Sequence, residues 1–273
     1  VEELVPILLL MARDCVFCGC SPVTAEHVWP AWFRRLSGEV KMAFPHELVA
    51  EAEGETSEKR NWNQPPFSLT VKRFCANCNN GWMSGLESAA ERLLSPLLER
   101  GGRFFHRREQ RELASWALLK AIVLDQTHAD QAIPDWFIER LFEDKQPPEQ
   151  VAVWTTVWTA DLPAIYSYQG AAVAPGDAMS PQEEPNVFSV TFTLGPLVFQ
   201  VAGSLVDGLG FDDIVYPQLD ICRLWPYKTG QIDFAPRKVM TRKTLELFAT
   251  AIFDDLQKEF PPGDRIEPVR GPN

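Results

Sequence analysis

Two stretches decide how this chain folds: Cys15-Val-Phe-Cys18-Gly-Cys-Ser-Pro-Val-Thr-Ala-Glu26-His27-Val-Trp-Pro30 and Cys75-Ala-Asn-Cys78-Asn79-Asn80. A Cys-x-x-Cys pair on a tight knuckle presents two thiolates at the separation that tetrahedral zinc requires. One pair alone also fits a redox dithiol. Two pairs with 56 residues between them predict a structural Zn²⁺ site built from Cys15, Cys18, Cys75 and Cys78. Cys20 is an alternative ligand of less usual spacing, and Cys20 and Cys222 are most simply free thiols. Cysteine used in this way suits metal binding in a reducing, cytoplasmic compartment better than a disulfide framework.

Working outward from the knuckles, residues 24–28 read as a short extended piece and 32–36 as a brief helix. The acidic stretch 47–66 reads as an inserted loop, and residues 67–74 alternate as a strand leading into the second knuckle. Apolar residues at helical spacing predict a helix from Asn79 to about Glu99, stopped by Gly101-Gly102. Further helices are expected over 109–127 and over 134–142, the latter with Pro134 in its first turn. After Pro147-Pro148 the character changes. Residues 151–159, 164–173, 187–194, 197–206 and 214–219 are β-rich and separated by Pro and Gly turns, and an amphipathic helix over 241–260 follows. The opening run Val1–Met11 begins acidic, lacks a basic lead and is too short to span a bilayer; it reads as an element packed on the core.

The expected class is α+β. A zinc-stapled ββα finger with a helical extension (13–145) precedes a mostly antiparallel β domain with a terminal helix (150–273). A length of 273 residues, 45% hydrophobic content and seventeen Phe with nine Trp supply ample core. The net charge of −11 is unevenly spread: residues 13–120 carry 15 Lys/Arg against 13 Asp/Glu, while 121–273 carry 11 against 22. The first half therefore keeps the capacity to meet phosphates.

The residues beside the cysteines carry the chemistry. Hydrolysing a phosphodiester with one metal ion takes oxygen ligands that leave coordination positions open and a base that titrates near neutrality. Glu26 and an Asn79 amide oxygen suit Mg²⁺ or Mn²⁺, and His27 suits the base. Neighbours on a regular strand point to opposite faces, so Glu26 and His27 share a site only where twist or a loop brings them together. Plainer roles exist for each: Glu26 pairing with Arg34 or Arg35, His27 as a buried hydrogen-bonded ring, and Asn79 as a helix N-cap. Asn80 reads as a cap or turn residue, or as the ligand in place of Asn79. Glu87 reads as an exposed salt-bridging residue sooner than as an added carboxylate, and Trp82 and Met83 as core sooner than base-stacking residues.

The ordered set Cys15-x-x-Cys18, Glu26-His27, Cys75-x-x-Cys78-Asn79 resembles the HNH endonucleases, whose unit is the ββα-metal or treble-clef finger. The resemblance covers about residues 13–100 and is to the four-Cys branch of the phage endonuclease VII type. It implies Zn²⁺ on the four cysteines, Glu26 and Asn79 as ligands of the catalytic Mg²⁺ or Mn²⁺, His27 as general base, and DNA as substrate. Three positions depart from the pattern. Glu26 stands where Asp is commoner, Asn79 replaces the second His, and the middle Asn has no counterpart nearer than Asn61 or Asn63.

DNA contact is expected from Arg34 and Arg35, from Lys72 and Arg73, and from Arg103, Arg107, Arg108 and Arg111, with Arg100 in the same basic stretch. Arg108 and Arg111 can equally pair with Glu109 and Glu112 on a solvated helix. The β-rich half has three open roles: reading substrate, joining two copies as a homodimer, or sensing a ligand. No membrane partner is expected. The competing functions are a non-catalytic zinc finger that binds nucleic acid or protein, and a finger that only staples the fold.

Overall fold

The structure, a computed structural model, describes residues 14–36, 44–48, 60–64, 68–128, 131–160, 166–173, 185–211, 219–235, 238–259 and 267–270. Of 35–36, 44–48, 60–64, 100, 255–259 and 267–270 it describes the backbone alone. The opening apolar run, the acidic residues 51–58 and the strand expected over 214–218 lie outside the described residues.

Strand β1 (Val23–His27) and helix α1 (Ala31–Leu36) follow the first knuckle, and β2 (Phe44–Leu48) and β3 (Arg60–Gln64) come next. β4 (Thr70–Cys75) runs into the second knuckle, whose helical turn α2 (Ala76–Cys78) passes through a π-helical turn (Asn79–Met83) into α3 (Ser84–Arg100). β5 (Arg103–His106), α4 (Arg107–Asp125) and α5 (Asp135–Asp144) complete the helical part. The β-rich part holds β6 (Val151–Val157), β7 (Tyr166–Ala172), β8 (Val187–Leu194), β9 (Leu197–Ser204), β10 (Cys222–Trp225) and β11 (Gln231–Phe234). Helix α6 (Arg242–Glu259) and β12 (Glu267–Arg270) come last. The class is α+β, with a cysteine-clustered finger, a helical extension, an antiparallel sheet and a C-terminal helix.

Two readings of the sequence change. The stretch 47–66 is not all loop: β2 pairs antiparallel with β3, Phe44 opposite Gln64 and Leu48 opposite Arg60. Polar, acidic composition hid a pairing made by backbone groups. Pro134 stands at the N-cap of α5 instead of inside its first turn.

Six strands form one antiparallel sheet in the order β10-β6-β9-β8-β7-β12. Every residue of β8 and β9 is buried, because α4 covers one face and α6 the other. Such double coverage leaves no charged residue in either strand, and the polar positions of β8, Ser189, Thr191 and Thr193, are buried with the rest. Helix α4 is the centre of the molecule. Its first turn is closed by a capping box, the His106 N–H donating to Glu109 at 3.0 Å, and every residue from Leu113 to Asp125 is buried. Trp116 sits edge-on to Phe199 and Phe192, at 5.3 and 6.0 Å between ring centres. One buried apolar cluster runs from Cys15 and Phe17 through α3 and α4 to Phe192 and Phe199 on the sheet.

Gly203 on β9 shows how closely α5 and the sheet approach. A β-carbon there would lie 2.2 Å from Phe188 and 2.9 Å from Phe137, two fully buried rings in edge contact. Gly203→Ala should therefore lower stability by about 1–3 kcal/mol through overpacking. Urea midpoints would measure this; an unchanged midpoint would mean the rings repack freely. Among the described residues no helix is long and apolar enough to cross a membrane.

Candidate metal centre and the pocket beside it

The first knuckle is a tight turn. The Gly19 N–H donates to the Cys15 carbonyl at 2.8 Å and the Cys15 N–H to the Cys20 carbonyl at 3.1 Å, with Gly19 at φ +67, a region glycine enters without strain. The Val16 N–H donates to the Arg73 carbonyl at 3.0 Å, which seats the knuckle against β4. The second pair ends β4 with Cys75 and places Cys78 in the first helical turn. Cys18 Sγ lies 3.5 Å from Cys75 Sγ and 3.6 Å from Cys78 Sγ, and all four sulfurs fall within 4.8 Å of one another. Tetrahedral zinc with bonds of ~2.3 Å needs sulfurs about 3.8 Å apart, so this donor set fits Zn²⁺. The four sulfurs form a zinc-binding cluster. Cys20 is not part of it; its exposed thiol contacts the Cys18 carbonyl at 3.7 Å.

The chemistry around the sulfurs suits a metal as well. Burial, and then the neighbouring Cys18 and Cys15, push the Cys78 thiol well above its ordinary range, against an opposing hydrogen bond from Trp82. A metal ion binds the deprotonated sulfur, so it would offset this penalty at Cys78. Phe17 packs on Phe74 at 5.3 Å and on Trp82 at 4.8 Å, which shields the cluster. Lys145, at the end of α5, lays its ammonium 3.9 Å from the Phe142 ring and 4.4 Å from the Trp82 ring, close enough to feel the Cys78 thiolate.

Beside the cluster lies an open pocket of about 290 Å³, lined by Glu26, His27, Asn79, Asn80, Glu87 and Lys120 among others. Two local irregularities aim these residues. The β1–β4 register slips between Thr24, opposite Phe74, and Glu26, opposite Val71. A bulge of this kind adds twist and re-aims side chains, and here the two neighbours Glu26 and His27 line one pocket. After Cys78 the helix widens into a π turn with Gly81 off helical geometry (φ −94, ψ −112), a feature common at functional sites. Asn79 is not the N-cap of the following turn, a position Cys78 holds, but the residue that closes α2. Its Nδ2 donates to Thr24 Oγ1 at 3.2 Å and to the Ala25 carbonyl at 3.4 Å, tying the helix to β1 and leaving Oδ1 as the amide atom for a ligand.

Glu26 turns toward the helical extension. Its Oε1 lies 3.4 Å from the Nζ of Lys120, a residue of α4 that is 2% exposed. Glu87, expected on the surface, is drawn into the same group. Its Oε1 pairs with Lys120, and its Oε2 accepts the indole N–H of Trp116 at 3.1 Å and of Trp32 at 3.3 Å. Burial raises the Glu26 carboxyl above its usual range, with Lys120 pulling the other way. Burial also disfavours the Lys120 ammonium, but Glu87 and Glu26 outweigh it and hold the amine above its ordinary value. Lys120 is the residue the sequence reading missed. The signal was present, since a lone charge interrupts Leu118-Leu119-Lys120-Ala121-Ile122, and a lysine inside an apolar run is paired or costly. His27 is exposed at the rim, and Met83 is buried as expected.

The basic residues are scattered. Arg34 and Lys72 are exposed, and the side chain of Arg35 lies outside the described residues, as do those of Arg100, Asn61 and Asn63. Arg73 is half-buried and donates to Gln126 at 2.8 Å. Arg103 pairs with Glu109 at 2.6 Å, Arg108 with Glu112 at 2.9 Å, and Arg107 lies 5.9 Å from the Tyr227 ring centre. Arg111 is exposed on α4. The pair of the exposed Arg108 is of the kind that holds weakly and can be exchanged for phosphate, whereas that of Arg103 is partly buried.

Comparison with known proteins adds no identity: no family model, no curated protein and no solved structure matches the chain.

Proposed function

We propose that the zinc-stapled finger is a metal-dependent phosphodiesterase of the HNH type acting on DNA. The observation that carries the proposal is the pocket shared by Glu26, His27 and Asn79 next to the four-cysteine cluster. The acid, the imidazole and the amide come from two elements that the zinc knuckles hold in register. Glu26 and Asn79 would hold Mg²⁺ or Mn²⁺; oxygen atoms already gather on a cation here, Glu26 Oε1 and the His27 carbonyl each 3.4 Å from the Lys120 ammonium. Such an ion, when bound, neutralises charge developing on the phosphoryl group and its leaving oxygen. His27, exposed at the rim, takes the proton from the attacking water. Asn79, anchored through Nδ2, keeps its oxygen fixed, and Arg34, Lys72 and Arg111 supply exposed cations for the phosphate backbone.

A second reading takes nothing beyond the zinc-binding cluster, namely a non-catalytic finger that binds nucleic acid or a protein. It is favoured by one observation, that Lys120 already partners the Glu26 carboxylate. One experiment separates the two. Zinc-loaded wild type and His27→Ala are incubated with plasmid and branched DNA in Mg²⁺ or Mn²⁺, and binding is followed in parallel. The phosphodiesterase predicts cleavage that falls at least about 100-fold in His27→Ala, the lower range for loss of a general base, with binding and far-UV circular dichroism retained. Binding without cleavage by wild type selects the second reading. Equal cleavage by both proteins would remove His27 from the mechanism.

A further inference from the structure

Three oxygens from two segments, β1 and α3, converge on the Lys120 ammonium: Glu26 Oε1 and the His27 carbonyl at 3.4 Å each, and Glu87 Oε1. The arrangement resembles a small oxygen cage with an amine in the place of a metal ion. Its two carboxylate ends differ. Glu87 is braced by the Trp32 and Trp116 indoles and sits in the tighter pair with Lys120. Glu26 is held at the longer distance and opens onto the pocket that His27 and Asn79 line. Lys120 itself is buried, on the rigid central helix, where charges interact strongly and are screened little.

We propose that Lys120 is a built-in counter-ion for the candidate cation site. It neutralises Glu26 while no divalent ion is bound, and it yields Glu26 and keeps Glu87 when one binds. This presupposes the phosphodiesterase proposed above, in which Glu26 is a ligand. Two carboxylates and one ammonium leave a net charge of −1, enough to attract a divalent cation but not to hold it tightly. The fixed amine therefore tunes the site to weak, exchangeable metal. A metal that binds weakly also keeps the finger inert until both ion and nucleic acid are present, because substrate phosphates add the missing negative charge.

The test uses the full, zinc-loaded chain with Mn²⁺ as the probe, its free fraction read by electron paramagnetic resonance. Lys120→Met should bind Mn²⁺ at least about tenfold more tightly than wild type, since one repelling charge is gone. The thermal midpoint of Lys120→Met should rise more than that of wild type on adding Mn²⁺, and Glu26→Gln should abolish both effects in either background. Glu26-dependent binding that is unchanged or weaker in Lys120→Met would overturn the counter-ion role and leave the phosphodiesterase standing. No Glu26-dependent binding in any variant would overturn both. Where Lys120→Met fails to fold, Lys120→Gln keeps a hydrogen-bond donor without the charge, and both are refolded with Mn²⁺. Recovery with Mn²⁺ shows that ion and amine neutralise the same carboxylates, as the counter-ion role requires. Failure to recover shows a purely structural cation and overturns it.

Discussion

Stripping zinc with a strong chelator, or replacing Cys75 with serine, will unfold the unit formed by the knuckles, β1, β4 and the start of α3. Structural zinc contributes an apparent ~10–16 kcal/mol in small fingers near neutral pH, as much as the whole stability of a typical domain, roughly 5–15 kcal/mol. Here the sulfurs also seat the core: Phe74 and Phe17 stack beside the cluster, and Cys75 and Cys78 are themselves buried. The expected result is loss of far-UV signal with release of one zinc per chain, read by a colorimetric indicator. Cys20→Ser and Cys222→Ser should keep both signal and zinc. Cys20 lies outside the cluster, and burial, then Asp220 and Asp233, push the Cys222 thiol up to about 11, where it stays protonated. An unchanged spectrum after complete chelation would show that packing alone holds the unit together.

The second large effect is a pH dependence centred on Asp125, at the end of α4. Burial raises this carboxyl from 3.8 to about 7, against the hydrogen bonds that it accepts from the Ala132 and Ile133 N–H groups, and Asp135 adds repulsion. Oδ1 accepts from Ala132 at 2.7 Å and so fastens the connector ahead of α5. Because the folded value lies above the unfolded one, the group's contribution is complete below pH ~4 and is lost as pH rises through about 7. A shift of roughly three units is worth about 4 kcal/mol. Asp125→Asn keeps an oxygen for Ala132 and removes the charge. Its stability should gain on wild type steadily between pH 4 and 7 and run parallel above pH 8. Urea unfolding of both proteins at matched zinc measures the difference, which cancels the acid sensitivity of the thiolates. Parallel curves throughout would show that Asp125 reaches solvent when it ionises.

How much of this was legible in the sequence depended on whether the deciding contact was local. The knuckles were, since Cys-x-x-Cys places two sulfurs within one turn. The long strands were too, because β8 and β9 carry no charged residue, are rich in Val, Phe and Thr, and are joined by Gly195-Pro196. The pair β5–β11 was not. It joins Arg103–His106 to Gln231–Phe234, four residues each, too short for any period to register. Glu87 was misread for a related reason: nothing in its own helix reveals that Trp116 and Lys120, a full helix away, turn toward it. At the candidate site Glu26, His27 and Asn79 could be named from the sequence. The bulge and the π turn that aim them could not, because both are slips in backbone register, set by what β1, β4 and α3 pack against.

The position of α4 has a consequence for anyone wishing to move this finger elsewhere. A compact unit cut out at about residue 100 would retain all four cysteines and the Glu26-His27 pair. It would lack Trp116 and Lys120, and the apolar flank of α3 that meets α4 would face water. Glu26 and Glu87 would then be two half-sequestered acids with no resident cation. The four zinc-binding cysteines all precede residue 100, but the candidate pocket is completed by a helix that also packs on the β-sheet. The module is therefore not portable, and changes on the sheet side of α4 reach the pocket through a single rigid rod.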